Sequence, residues 1–95
     1  MQPLTRSHFA ALIGALDGQV IHTLSRGRAF RISVLPDGIS ITPSSSGKER
    51  RVPWQRIEKV LARFNESGSY TPADFHDLTF DSSYILAVLH RVLSA

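Results

Sequence analysis

A chain of 95 residues with 42% hydrophobic and 20% charged side chains suits one small globular domain over residues 1–95 and leaves no room for a second core. Its longest uninterrupted apolar stretch, Tyr84 to Leu89, is six residues, against about 18 for a membrane-spanning helix. The absence of cysteine removes disulfides, thiolate metal sites and cysteine nucleophiles. No apolar run follows Met1, so no secretory signal is read, and a small domain without disulfide staples is expected in the cytoplasm.

Phe9, Leu12, Ile13 and Leu16 recur at helical spacing and predict a helix over 7–16, capped by Thr5 or Ser7 and ended by Asp17-Gly18. Gln19 to Leu24 reads as a short strand and Ser25-Arg26-Gly27-Arg28 as a turn. Ala29 to Leu35 alternates, with Phe30, Ile32 and Val34 on one face and Arg31 and Ser33 on the other. Pro36-Asp37-Gly38 predicts a turn, Ile39 to Thr42 a returning strand, Pro43 to Gly47 a mobile loop, and Lys48 to Val52 a short fourth strand. The connections are too short for parallel crossovers, so the strands are expected to form an antiparallel meander.

Trp54, Ile57, Val60, Leu61 and Phe64 make a one-sided helical stripe, with Pro53 at the first helical position and Gly68 at the exit. Thr71-Pro72-Ala73-Asp74 has the form of a capping box opening a short helix that ends near Leu78. Asp81 or Ser82 would cap a last helix reaching Leu93. Its apolar residues cover most of its circumference, which predicts deep burial or a subunit interface, with Tyr84, Leu86 and Leu93 as the partner-facing candidates. The expected fold is α+β: an N-terminal helix, a three- to four-stranded antiparallel meander, then three helices packed on the sheet.

Catalytic patterns are thin. Ser45-Ser46-Gly47-Lys48 departs from a P-loop, because Thr42 stands where its first glycine belongs and Glu49 where Ser or Thr is needed. His8, His22, His76 and His90 have no i, i+4 pair, so no helical zinc motif is formed. Asp74, Asp77 and Asp81 would suit a metal-dependent nuclease, with His76 beside Asp77, but Asp74 and Asp81 also fit helix caps. A Ser/His/Asp set is defined by geometry rather than spacing. The reading is a non-enzyme without metal or cofactor, a small hydrolase or nuclease being the lesser alternative.

Charge is more informative. The net +3 divides into zero over residues 1–25, +6 over 26–63 and −3 over 64–95. The basic block comprises Arg26, Arg28, Arg31, Lys48, Arg50, Arg51, Arg56, Lys59 and Arg63. Seven of these nine are arginine, whose planar fork suits phosphates and guanine edges. Placed on a hairpin, a loop and the i, i+3, i+7 face of a helix, they predict a surface that follows a phosphate backbone. The expected function is a non-catalytic nucleic-acid-binding (DNA or RNA) module or small regulator. The alternative is a protein-interaction module: a homodimer, or a phage- or plasmid-type factor that binds and blocks a host protein, its partner an acidic surface.

Thr71-Pro-Ala-Asp-Phe-His-Asp-Leu78 and Ser82-Ser-Tyr-Ile-Leu-Ala-Val-Leu-His-Arg91 resemble the paired helices of winged helix-turn-helix domains. That resemblance implies a second helix in the major groove and a hairpin wing on the backbone. Here the stretch from Thr71 to Arg91 carries net −2, its second helix is largely apolar, and the strands precede it. Contact is therefore expected from the hairpin and the Arg56 helix. Gly27 with Phe30, Pro43 to Lys48, and Ser82 to Ile85 are also similar to segments of short uncharacterised bacterial proteins, a likeness that implies no site residue.

Overall fold

The computed structural model describes residues 3–24, 26–79 and 81–94. Its elements run α1 (Arg6–Ile13), β1 (Val20–His22), β2 (Ala29–Leu35), β3 (Gly38–Pro43), β4 (Arg50–Pro53), α2 (Trp54–Ser67) and α3 (Ser82–Leu93). Single 3₁₀ turns occupy Gly14–Leu16 and Pro72–Phe75. The chain is α+β, with one four-stranded antiparallel sheet in the order β1-β2-β3-β4. None of the described helices is long and apolar enough to cross a membrane.

Alternation along the strands gives the sheet two unlike faces. Ile21, Phe30, Ile32, Ile39, Ile41 and Val52 are buried in one cluster with Phe9, Ile13, Ile57, Leu61, Ile85 and Leu89 of the helices. The intervening positions Val20, Arg31 and Arg51 are exposed, and Ser33 and Thr42 are half-buried, on the opposite, uncovered face. Register puts Val20, Arg31 and Thr42 in one cross-strand row and Ser33, Ser40 and Arg51 in the next.

The ends of the elements follow from local hydrogen bonding. The Thr5 hydroxyl accepts the His8 N–H at 3.2 Å and starts α1. The expected single helix over 7–16 becomes an α-helix followed by a tighter turn. Asp17 then accepts the Val34 N–H at 2.8 Å, satisfying a strand donor beyond the end of β1. The β2–β3 turn caps α2: Asp37 and Pro36 carbonyls accept the backbone and indole N–H groups of Trp54, both at 3.1 Å. Pro53 is accordingly the extended N-cap residue of α2 rather than its first helical residue (φ −70°, ψ 152°). Gly38 is fully packed under β4, where an added Cβ would overlap the Val52 carbonyl. The Asn65 amide clamps both backbone groups of Leu4, at 2.8 and 2.9 Å, fixing the N-terminal segment to α2.

Three expectations are corrected after Gly68. The segment from Thr71 to Leu78 is not a third C-terminal α-helix but one 3₁₀ turn, with Phe75 its sole fully buried side chain. So little apolar surface does not offset the cost of nucleating a longer helix. Nor does Thr71 exchange capping bonds with Asp74. Ser69 takes that role, donating its hydroxyl to Asp74 at 2.6 Å while accepting the Thr71 N–H at 3.1 Å. Asp81 is the N-cap residue of α3, but its carboxylate makes no cap bond and instead holds Arg50 at 3.0 Å. The Ser25 position of the expected hairpin turn lies outside the described residues.

Candidate polyanion-binding surface

A meander places alternate connections at opposite ends of its sheet. The β1–β2 hairpin and the β3–β4 loop therefore share one end, tied by the Ser44 N–H to the Ala29 carbonyl at 3.0 Å. The start of α3 reaches the same end: Tyr84 packs edge-on against Phe30, with ring centroids 5.0 Å apart. This end gathers Arg26, Arg28, Lys48 and Arg50 from parts of the chain up to 24 residues apart. Thr23 accepts the Arg28 N–H through its hydroxyl and donates its own N–H to the Arg28 carbonyl, each at 3.0 Å. Gly27 sits between the two arginines at φ +62°, a conformation that side-chain-bearing residues rarely adopt.

Beside the tip lies a recess of about 290 Å³, lined by Thr23, Arg26 and Arg28 of the hairpin, Pro72 and His76 of the 3₁₀ turn, and Ser83 and Tyr84 of α3. Among the described residues, no carboxylate lines it. His76 and Ser83 were not legible as neighbours of the hairpin, because about fifty residues separate them from it in sequence.

The other predicted cations divide by face and by partner. Arg31 and Arg51 emerge on the open sheet face. Arg31 donates to the Gly18 carbonyl at 2.5 Å, which leaves its charge uncancelled, whereas Arg51 is paired with Glu49 at 3.0 Å. Glu49 is held below the usual carboxylate range, first by the Ser40 hydroxyl and then by Arg51. Arg50 is committed to Asp81, and its guanidinium lies 5.8 Å over the Tyr84 ring. Arg63 is committed to Asp77 and to the Asp74 carbonyl. The Arg63 guanidinium holds Asp77 below its ordinary value, and Asp77 in turn raises Arg63.

Arg56 and Lys59 are exposed on α2, turned away from the buried stripe Ile57, Val60, Leu61 and Phe64. They belong to the helical layer, across the sheet from Arg31 and Arg51. The nine residues therefore do not make one continuous surface. The structure brings together Arg26, Arg28, Lys48 and the paired Arg50, with Arg31 on the adjoining open face, and sets Arg56 and Lys59 apart.

The predicted partner-facing residues also divide. Leu86 is fully buried in the chain's own core, so α3 turns it inward and it offers nothing to a partner. Tyr84 is half-buried against Phe30, and Leu93 is 43% exposed. Near Leu93, a groove of about 560 Å³ runs between α1 and the end of α3, lined by Leu12, Leu16, Gln19, His90, Arg91 and Val92 among others. Val20 and Leu24, exposed at the β1 edge, lie on the far side of His90 and Arg91.

The three aspartates that suggested a nuclease do not converge: Asp74 meets Ser69, Asp77 meets Arg63 and Asp81 meets Arg50. Among the described residues, no group of three or more His, Asp and Glu side chains is placed to hold a metal ion. No protein-family model, curated protein or solved structure matches the chain.

Proposed function

We propose that this chain is a non-catalytic nucleic-acid-binding module that grips phosphates with the hairpin end of its sheet. Arg26, Arg28 and Lys48 are the primary contacts, and Arg31 extends the contact onto the open sheet face. The observation that carries this reading is the selective pairing of charge. Arg50, Arg51 and Arg63 each have a carboxylate partner, whereas Arg26, Arg28, Arg31 and Lys48 at the hairpin end and open face, like Arg56 and Lys59 apart on α2, have none among the described residues. Uncancelled cations gathered at one end favour a polyanion through counterion release. Arg50 stays in place to orient Tyr84 and the start of α3.

Fluorescence anisotropy of labelled duplex DNA, single-stranded DNA and RNA tests the reading. Binding that weakens steeply with salt is expected, and absence of binding at low salt by folded protein overturns it. A second reading, self-association or docking of another protein, is favoured by the groove beside Leu93. Sedimentation equilibrium tests the self-association form, which predicts a dimer lost on Leu93→Asp.

A further inference from the structure

The geometry points to the recess between the β1–β2 hairpin and α3 as a binding site for a terminal phosphomonoester, the doubly charged group at a nucleic-acid end or on a mononucleotide. This inference rests on the polyanion reading of the hairpin and gives it a chemical class.

Three elements wall the recess, and each brings a different kind of donor. The hairpin contributes Arg26 and Arg28, and a guanidinium is a planar set of five N–H groups suited to bidentate contact with phosphate oxygens. The 3₁₀ turn contributes His76, and α3 contributes Ser83 and Tyr84, residues that carry an imidazole and two hydroxyls. Among the described residues, none of these five side chains is spent on a protein acceptor. Ser82 and Ser83 also open a twelve-residue helix; the Tyr84 and Ile85 amides already donate to the Asp81 carbonyl, which leaves those of Ser82 and Ser83 at its positive end.

The surrounding acids leave the recess positive. Asp81, at the N-cap of α3, is held by Arg50 at 3.0 Å. Asp77, next to His76, is held by Arg63, and Asp74 accepts from Ser69. Asp77 and Asp81 thus have cationic partners outside the recess, while Asp74 keeps its charge, and the two arginines inside have no carboxylate partner among the described residues.

The choice of a terminal over an internal phosphate follows from charge and size. A phosphomonoester carries about −1.5 to −2 charges and three strong acceptor oxygens at neutral pH. An internal diester carries one charge and two unesterified oxygens. Two guanidinium forks, an imidazole and two hydroxyls exceed what the diester can accept and suit the monoester. A volume of about 290 Å³ lies at the small end of ligand pockets, which begin near 300 Å³. That space fits a phosphate and its sugar, and the choice of the terminal group rests on the match of charge and acceptor number.

The test uses a short labelled single strand in three forms, with a 5′-phosphate, a 3′-phosphate or hydroxyls at both ends, together with a nucleoside monophosphate as competitor. Affinities are measured by anisotropy for the full chain and for His76→Ala/Ser83→Ala, whose folding is checked by Trp54 fluorescence. A preference of about tenfold or more for one phosphorylated end is expected, the return for one additional charge-assisted hydrogen bond. The double variant should lose that preference while still binding the hydroxyl-ended strand. Equal affinity for all three strands overturns the site and leaves the polyanion reading standing. Binding of the monophosphate, lost in the double variant, with no binding of any strand upholds the site and refutes the nucleic-acid source. No binding of either kind removes both.

Discussion

Replacing Arg26, Arg28 and Lys48 together by alanine should flatten the salt dependence of nucleic-acid binding far more than replacing Arg56 and Lys59. Only cations without an internal partner displace counterions in full, which leaves about four effective contacts at the hairpin end and open face: Arg26, Arg28, Lys48 and Arg31. For duplex DNA the slope of log K against log salt is about −0.9 per phosphate contact, so four contacts give roughly −3.6. Between 50 and 200 mM salt that slope corresponds to a loss of about 150-fold in affinity. The triple variant keeps one contact, and its loss over the same range falls to about three- to fourfold. Arg56→Ala/Lys59→Ala should keep a slope near the parent's, because those side chains face away from the open sheet. Anisotropy titrations at five salt concentrations read all three slopes. The reasoning is refuted if the α2 variant flattens the slope as much as the hairpin variant does.

Three further outcomes concern the frame that holds this surface. Asp77 has its folded pKa depressed by the Arg63 hydrogen bond, so its stabilising contribution is complete above the ordinary value of 3.8 and is lost as pH falls through the lower folded value. Urea midpoints of the parent and Asp77→Asn should therefore differ by a constant amount near neutrality and converge at acid pH. Widening of the gap on acidification would contradict that sign. Phe30→Ala empties a fully buried position between the sheet and Tyr84, and truncating a buried phenylalanine costs about 3–5 kcal/mol. The single tryptophan, Trp54, is 6% exposed, so its emission should shift to the red on unfolding and report the lowered urea midpoint. Gly38→Ala, whose added methyl meets the Val52 carbonyl, should cost about 1–3 kcal/mol by the same assay; an unchanged midpoint would mean that β4 yields without strain.

The meander was legible because its signals are local. Alternation of Phe30, Ile32 and Val34 against Arg31 and Ser33 defines β2 at both ends, and Pro36-Asp37-Gly38 provides the turn that follows. The amphipathic stripe of α2 was equally plain, although the helix continues past Phe64 to Ser67 before leaving through Gly68. The Thr71-Pro72-Ala73-Asp74 pattern misled for a physical reason. A capping box describes the opening of a helix but supplies no reason for the helix to continue, and only Phe75 of this segment is fully buried. The same limit applies to Asp81, whose local role at α3 gives way to an arginine 31 positions earlier.

The surface was legible as a composition and not as a shape. Nine cations in the middle third beside an acidic last third read naturally as a basic face awaiting an outside polyanion. Folding shows a second meaning of that asymmetry. The two blocks are partly each other's counterions, Asp81 for Arg50 and Asp77 for Arg63, while Glu49 serves Arg51 locally. These exposed pairs contribute little individually to stability, but they sort the cations. Those nearest the acidic segments are drawn into holding α3 and the 3₁₀ turn against the sheet and α2. Arg26, Arg28 and Lys48, on connections at the sheet's end, keep their charge available. The acidic third thereby removes Arg50 and Arg63 from the basic block and leaves unpaired cations at the sheet's end, on its open face and on α2. His76 and Ser83, which it carries, border the recess beside Arg26 and Arg28.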